Sequence, residues 1–240
     1  MHDQEATSRV AADEYRKRSA LNWEQAAAGW ESEAERVRTM GAPITAWLIE
    51  HLALDQGATV LELASGPGDV GLAVAAALAG GGRVILSDRA HAMVEAARRA
   101  AAAAGLENVE MRVLDAESLD LADASVDRVV CRFAYMLVAD RAAAFRETRR
   151  VLRPGGRVAF AVWGAAAENE WATTLWEVLE ARTDLPVTPP GGPGMFALAD
   201  PAVVRGLVAD AGFELRAVEP IPVSWSYPDF DSYWRAQSSL

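Results

Sequence analysis

Apolar positions change their period along this chain, and each change marks a predicted element. Between residues 58 and 163, the runs at 58–63, 82–87, 109–114, 126–132 and 156–163 are rich in Val, Ile and Leu and are bounded by turn formers. Such runs predict strands. The stretches 69–79, 90–104 and 140–152 place apolar residues at helical spacing and predict helices between the strands. Regular alternation of this kind predicts an α/β fold with a doubly wound, mostly parallel sheet and helices on both faces. Ahead of it, residues 4–54 mix polar and apolar positions at helical spacing, and Gly41-Ala42-Pro43 predicts a break into two helices.

Beyond Trp163 the pattern loosens. Residues 168–182 predict a helix, and 186–194 (PVTPPGGPG) an irregular loop. Residues 200–211 predict a helix capped by Asp200 with Pro201 in its first turn. Phe213 to Trp225 predict a strand or strand pair interrupted by Pro220 and Pro222, and Asp229 to Leu240 a last helix. The domain reading is an N-terminal helical segment, 1–54, covering the site, and a main domain, 55–240, with 164–200 as a substrate-side insert.

The richest stretch is ATVLELASGPGDVG at 58–71, a strand, an acid and a glycine turn opening into a helix. Ligands of open parallel sheets bind at such turns. Gly66-Pro67-Gly68-Asp69-Val70-Gly71 satisfies G-x-G-x-x-G, so a dinucleotide is one reading. Glu62 argues against it, because a carboxylate repels pyrophosphate and favours a ligand with positive charge and no phosphate. S-adenosylmethionine has that character. Asp88 ends the next strand twenty residues after Gly68, where an acid takes ribose hydroxyls or, alternatively, caps a helix.

ELASGPG resembles the first motif of the class I S-adenosylmethionine-dependent methyltransferases, whose fold is Rossmann-like. Ala64 stands where many members carry a first glycine. Asp115-Ala116 after the third strand resembles the third motif, where the acid accepts from the adenine amino group; an ordinary turn acid is the other reading. Helix–Arg153-Pro154-Gly155-Gly156–strand completes the likeness, which covers 43–163 and lies closest to the small-molecule methyltransferases of ubiquinone and menaquinone biosynthesis. The resemblance implies cofactor contacts from Glu62, Ala64, Ser65, Gly66, Pro67, Gly68, Asp88, Arg89, Met93, Asp115, Ala116, Glu117, Cys131 and Arg132. Of these, Arg89 and Met93 would flank the adenine and Arg132 would pair with the methionine carboxylate. Cys131 reads equally as a small buried hydrophobe.

On the acceptor side, Trp23, Trp30, Tyr135, Met136, Trp163, Met195 and Phe196 form a candidate aromatic lining, although each reads equally as core. The implied activity is methyl transfer to a small aromatic or lipophilic acceptor with release of S-adenosylhomocysteine. Cys131-Arg132-Phe133-Ala134 replaces the Asn/Asp-Pro-Pro-Tyr type of motif, which disfavours base amino-methylation. A nicotinamide-dependent oxidoreductase and a non-catalytic cofactor-binding protein are the alternatives.

Composition narrows the field. A net charge of −11 argues against a nucleic-acid partner. Lys17 is the single lysine, which removes the Schiff base, the P-loop and the Tyr-Lys pair of many reductases. Three histidines and one cysteine predict no metal site and no internal disulfide. With no long apolar run and a polar start, a cytoplasmic protein without a membrane span is expected; a homodimer is left open.

Overall fold

A computed structural model describes residues 2–78, 80–180, 182–183 and 191–239. Five parallel strands, β1 (Thr59–Leu63), β2 (Arg83–Asp88), β3 (Val109–Val113), β4 (Val126–Arg132) and β5 (Leu152–Ala161), lie in the order β3-β2-β1-β4-β5. The chain therefore reverses its direction of winding between β1 and β4, and a crevice opens at their carboxyl ends. The expected α/β class, parallel sheet and flanking helices are all present.

Period-two alternation sends neighbouring strand residues to opposite faces. Leu61, Leu63, Val129 and Cys131 face a core completed by Phe145 of α5 (Arg141–Val151) and Val204 and Val208 of α7 (Pro201–Asp210). Val60, Val84, Leu86 and Val130 face the opposite core, closed by α2 (Ala34–Leu52) and α3 (Asp69–Ala77). Glu62 belongs to this second face by its register.

The N-terminal break falls at Glu33 and not at 41–43: α1 spans His2–Ser32, and α2 runs through Pro43. Proline removes one helical hydrogen bond, but Thr39, whose carbonyl loses it, is exposed to water. Buried Val37, Gly41, Ile44, Leu48 and Leu52 share one face and hold the helix to the sheet. Gly41 serves close packing, since a Cβ there would overlap the Arg132 guanidinium.

The Arg-Pro-Gly-Gly segment lies within β5 as a bulge. Val126 pairs with Leu152 and Arg128 with Arg157, so residues 153–156 loop out opposite a single residue. The final strand expected at 213–225 is absent from the sheet among the described residues. Ile221, Val223 and Trp225 are still more buried than their neighbours, but Pro220 and Pro222 have no N–H to offer a ladder. α6 (Glu170–Glu180) and α8 (Phe230–Ser239) match the remaining expectations, and α4 (His91–Ala103) follows β2. No described helix is long and apolar enough to cross a membrane.

Candidate functional site

Four strand ends converge on the crevice. After β1 the turn Ala64–Gly68 leads into α3, and Ser65 N donates to Ser87 O at 2.8 Å, tying the turn to β2. Ala64 has φ 50°, a left-handed conformation that disfavours a Cβ. A side chain at Gly66 would meet nothing within 4 Å, so the backbone there faces open space. Ser65 and Pro67 are buried beneath it.

Asp88 is 7% exposed and joins two turns. One carboxylate oxygen accepts from Gly66 N and the other from Ala90 N, each at 3.0 Å. Burial raises its pKa, against the lowering effect of these amides. Ala90 is the residue that caps α4, with no side-chain cap bond, so Asp88 is not its N-cap. Asp115 lies half-buried at the end of β3: Oδ1 accepts from Glu117 N at 3.0 Å, and Oδ2 lies 3.6 Å from Arg89.

Glu62 lies near the carboxyl end of β1, as expected. It is 2% exposed, and its Oε2 accepts from Gly71 N at 2.7 Å beneath the turn. Burial pushes its carboxyl up to about 8, with Arg132 and the Gly71 amide pulling the other way. Through this bond it anchors the first turn of α3. Gly71 is the glycine this packing demands, because a Cβ there would overlap both Glu62 and Leu86.

An unfolded glutamate ionises near 4.5, so between that value and about 8 the folded state holds the extra proton. Its contribution to stability is complete below the unfolded pKa and is lost as the pH rises through about 8. Thermal melting of the parent should fall relative to Glu62→Gln from about pH 5 to about pH 9. Parallel melting curves would show that Glu62 is ionised in the fold.

Arg132 is also occupied. Its Nη2 binds Asp69 at 2.9 Å, both side chains being largely buried, and Nη1 donates to Thr45 at 3.3 Å. Asp69, one residue beyond the glycine turn, was not singled out from sequence; its signal was an acid in the first turn of a helix. Glu117 holds α1: Oε2 takes Arg16 at 2.6 and 2.9 Å, and Oε1 takes Ala139 N at 2.9 Å. Tyr15 donates to Leu137 O at 2.8 Å beside this pair.

The aromatic candidates divide. Trp23 and Trp30 pack with Ala27 over buried Met93, so α1 covers the start of α4. Tyr135 and Met136 are corrected to core residues at 1% and 2% exposure. Tyr135 stacks on Phe145 and its hydroxyl lies 2.6 Å from Thr148 Oγ1. Cys131 is buried as well, its thiol pushed up to about 12. Trp163 stacks on Phe133 at 4.1 Å, and Phe133 holds φ 63° at the end of β4. Met195 and Phe196 are partly buried, in a segment anchored by Gly194 N donating to Met136 O at 2.9 Å. Of the proline-glycine loop, residues 186–190 lie outside those described.

Residues 60–156 match the methyltransferase domain family. A ubiquinone/menaquinone biosynthesis C-methyltransferase of Acidiphilium cryptum is 44% identical over 100 residues, 41% of this chain and 39% of the relative. An arsenite methyltransferase of Halobacterium salinarum is 32% identical over 189 residues, 78% of this chain and 44% of the relative. The chain thus spans less than half the length of either. The crystal structure of an S-adenosylmethionine-dependent methyltransferase from Aquifex aeolicus shares the fold, with a TM-score of 0.53 at 21% identity over 70% of this chain and 78% of the other. Residues 60–156 thus match the methyltransferase domain family, and the chain resembles the class I S-adenosylmethionine-dependent methyltransferases.

Proposed function

We propose that this protein transfers the methyl group of S-adenosylmethionine to a small acceptor of aromatic or lipophilic character, releasing S-adenosylhomocysteine. The observation that carries the reading is the turn at Gly66. Its backbone faces open space while Asp88 and Asp115 end the two neighbouring strands, so three adjacent strand ends offer a bare backbone and two carboxylates.

In this reading Asp88 accepts from the ribose hydroxyls with the lone pairs left by Gly66 and Ala90, and Asp115 accepts from the adenine amino group. The 64–68 turn and Arg89 border the same ligand, and Met93 supports it from below. When bound, the cofactor supplies an electrophilic methyl on sulfur. The chain's task is then largely to hold two reactants in line, for which no covalent enzyme intermediate is needed. Residues 1–54 serve as cover and 164–200 as the acceptor-side insert, and the setting is cytoplasmic.

The activities of the two relatives suggest different acceptors. A thiophilic acceptor such as arsenite calls for thiolates, whereas the single cysteine here is buried and held protonated. Carbon- or oxygen-centred acceptors suit the chain better.

Incubation with methyl-labelled S-adenosylmethionine and a panel of phenols, quinols, heteroaromatics, amines and thiols tests the proposal. The expected result is labelled product from an aromatic acceptor, with one S-adenosylhomocysteine per methyl. Cofactor binding without turnover across the panel would favour a non-catalytic binding protein. At the adenine end, Asp115→Asn keeps an acceptor oxygen and should weaken S-adenosylhomocysteine less than Asp115→Ala does. Equal affinities in parent and both variants would remove Asp115 from the site.

A further inference from the structure

An edge strand offers a row of unpaired backbone groups to another strand unless some feature hinders pairing. β3 and β5 are the edges of this sheet. β5 carries a bulge and Pro154, both of which hinder a further ladder. β3 carries neither. Its five residues, Val109-Glu110-Met111-Arg112-Val113, run without interruption, and Val113 is 42% exposed. Among the described strands only β2 pairs with it.

The pairing with β2 fixes which backbone groups are left over. Val84 N donates to Asn108 O at 2.9 Å, and Leu114 N donates to Asp88 O at 3.1 Å. Residues 108, 110, 112 and 114 therefore turn their N–H and C=O groups toward β2, and the alternate residues Val109, Met111 and Val113 turn theirs outward. The side chains of Glu110 and Arg112 share one face of the sheet. Glu110 lies 3.9 Å from Arg83 and 4.0 Å from Arg112, long separations for an ion pair, while Arg112 donates to Asp120 O at 3.1 Å.

By residue class the strand reads the same in both directions, with its two opposite charges at mirrored positions. Paired antiparallel about Met111, Val109 faces the partner's Val113, Met111 faces the partner's Met111, and Glu110 faces the partner's Arg112. The outward residues then form the hydrogen-bonded pairs, so every left-over N–H and C=O finds a partner. Glu110 and Arg112 fall at the non-hydrogen-bonded positions, where opposing side chains come closest and opposite charges attract. Sliding one strand by two residues sets Glu110 against Glu110 or Arg112 against Arg112, so the charges select a single register.

We propose that β3 is the interface of a homodimer, in which two copies pair antiparallel about Met111 and their sheets become continuous. The strands run in opposite directions, so the carboxyl ends of the two sheets face opposite ways and each crevice stays open. Five residues a side bury less than the roughly 800 Å² per partner of a standard interface, and dissociation in the micromolar range is expected.

Sedimentation equilibrium of the full chain from about 1 to about 300 μM tests it. The parent should pass from monomer to dimer across this range. Glu110→Arg and Arg112→Glu each set like charges against one another and should weaken self-association by at least about tenfold. Mixed in equal amounts, these two variants should associate with each other at least about tenfold more tightly than either does with itself, because every charge then meets its opposite. Circular dichroism confirms that each variant is folded. A parent that stays monomeric, self-association unaffected by either substitution, or no gain on mixing the variants would overturn the inference.

Discussion

Asp88→Ala is expected to weaken S-adenosylhomocysteine binding by about 10- to 150-fold, the equivalent of ~1.5–3 kcal/mol for hydrogen bonds to a charged group. The reasoning starts from the two backbone amides that Asp88 already holds, Gly66 N and Ala90 N. Each carboxylate oxygen has a second lone pair, so the same side chain can shape the glycine turn and receive ribose hydroxyls. Removing it leaves Gly66 N without its acceptor and removes the proposed ligand contact together. Asp88→Asn keeps one acceptor oxygen and should fall between parent and alanine variant. Calorimetry on folded variants is the check, with circular dichroism to confirm the fold. Unchanged affinity in Asp88→Ala would confine this residue to its backbone partners.

Gly71→Ala is expected to give the largest loss of stability. A Cβ at this position overlaps Leu86 and the Glu62 carboxyl at once, and both are buried among α3, β1 and β2. Overpacking a filled core costs about 1–3 kcal/mol. Any shift that relieves it lengthens the 2.7 Å bond from Gly71 N to Glu62, and an unsatisfied buried group costs a further ~1–3 kcal/mol. For a chain of this size the total corresponds to a fall in melting temperature of roughly 4–24 °C. A melting temperature within about 2 °C of the parent would show that α3 can move away from the sheet without loss.

The sheet was legible because its signal is local. Val60, Leu61 and Leu63 between turn residues define β1 without reference to the rest of the chain, and the other strands follow the same logic. Asp88 and Asp115 were legible for a similar reason, each standing where an apolar run ends. Contacts made across the fold were harder to read. Gly41 and Pro43 carry the local signature of a helix break, yet the helix continues because its buried face packs on the sheet and Arg132 fills the space beside Gly41.

Tyr135 could have faced the crevice or the core, and its partners Phe145 and Thr148 come from the following helix, which fixes it in the core. Sequence shows the Glu62 carboxyl but not its burial or its bond to Gly71 N. The alternation at 221–225 was visible, whereas the missing ladder follows from the two prolines within it. A file of rings from Phe133 to Trp225 joins residues far apart in sequence and emerges only from the folded chain.

The central claim is that the crevice at β1, β2 and β3 takes a phosphate-free adenosine ligand, although its turn also satisfies a dinucleotide pattern. Calorimetric titration of the full chain with S-adenosylhomocysteine and, separately, with NADH tests this most directly. The account predicts saturable one-to-one binding of S-adenosylhomocysteine, lost progressively in Asp88→Asn and Asp88→Ala, with NADH at least about a hundredfold weaker. NADH binding as tight as or tighter than S-adenosylhomocysteine, weakened by the same substitutions, would contradict it.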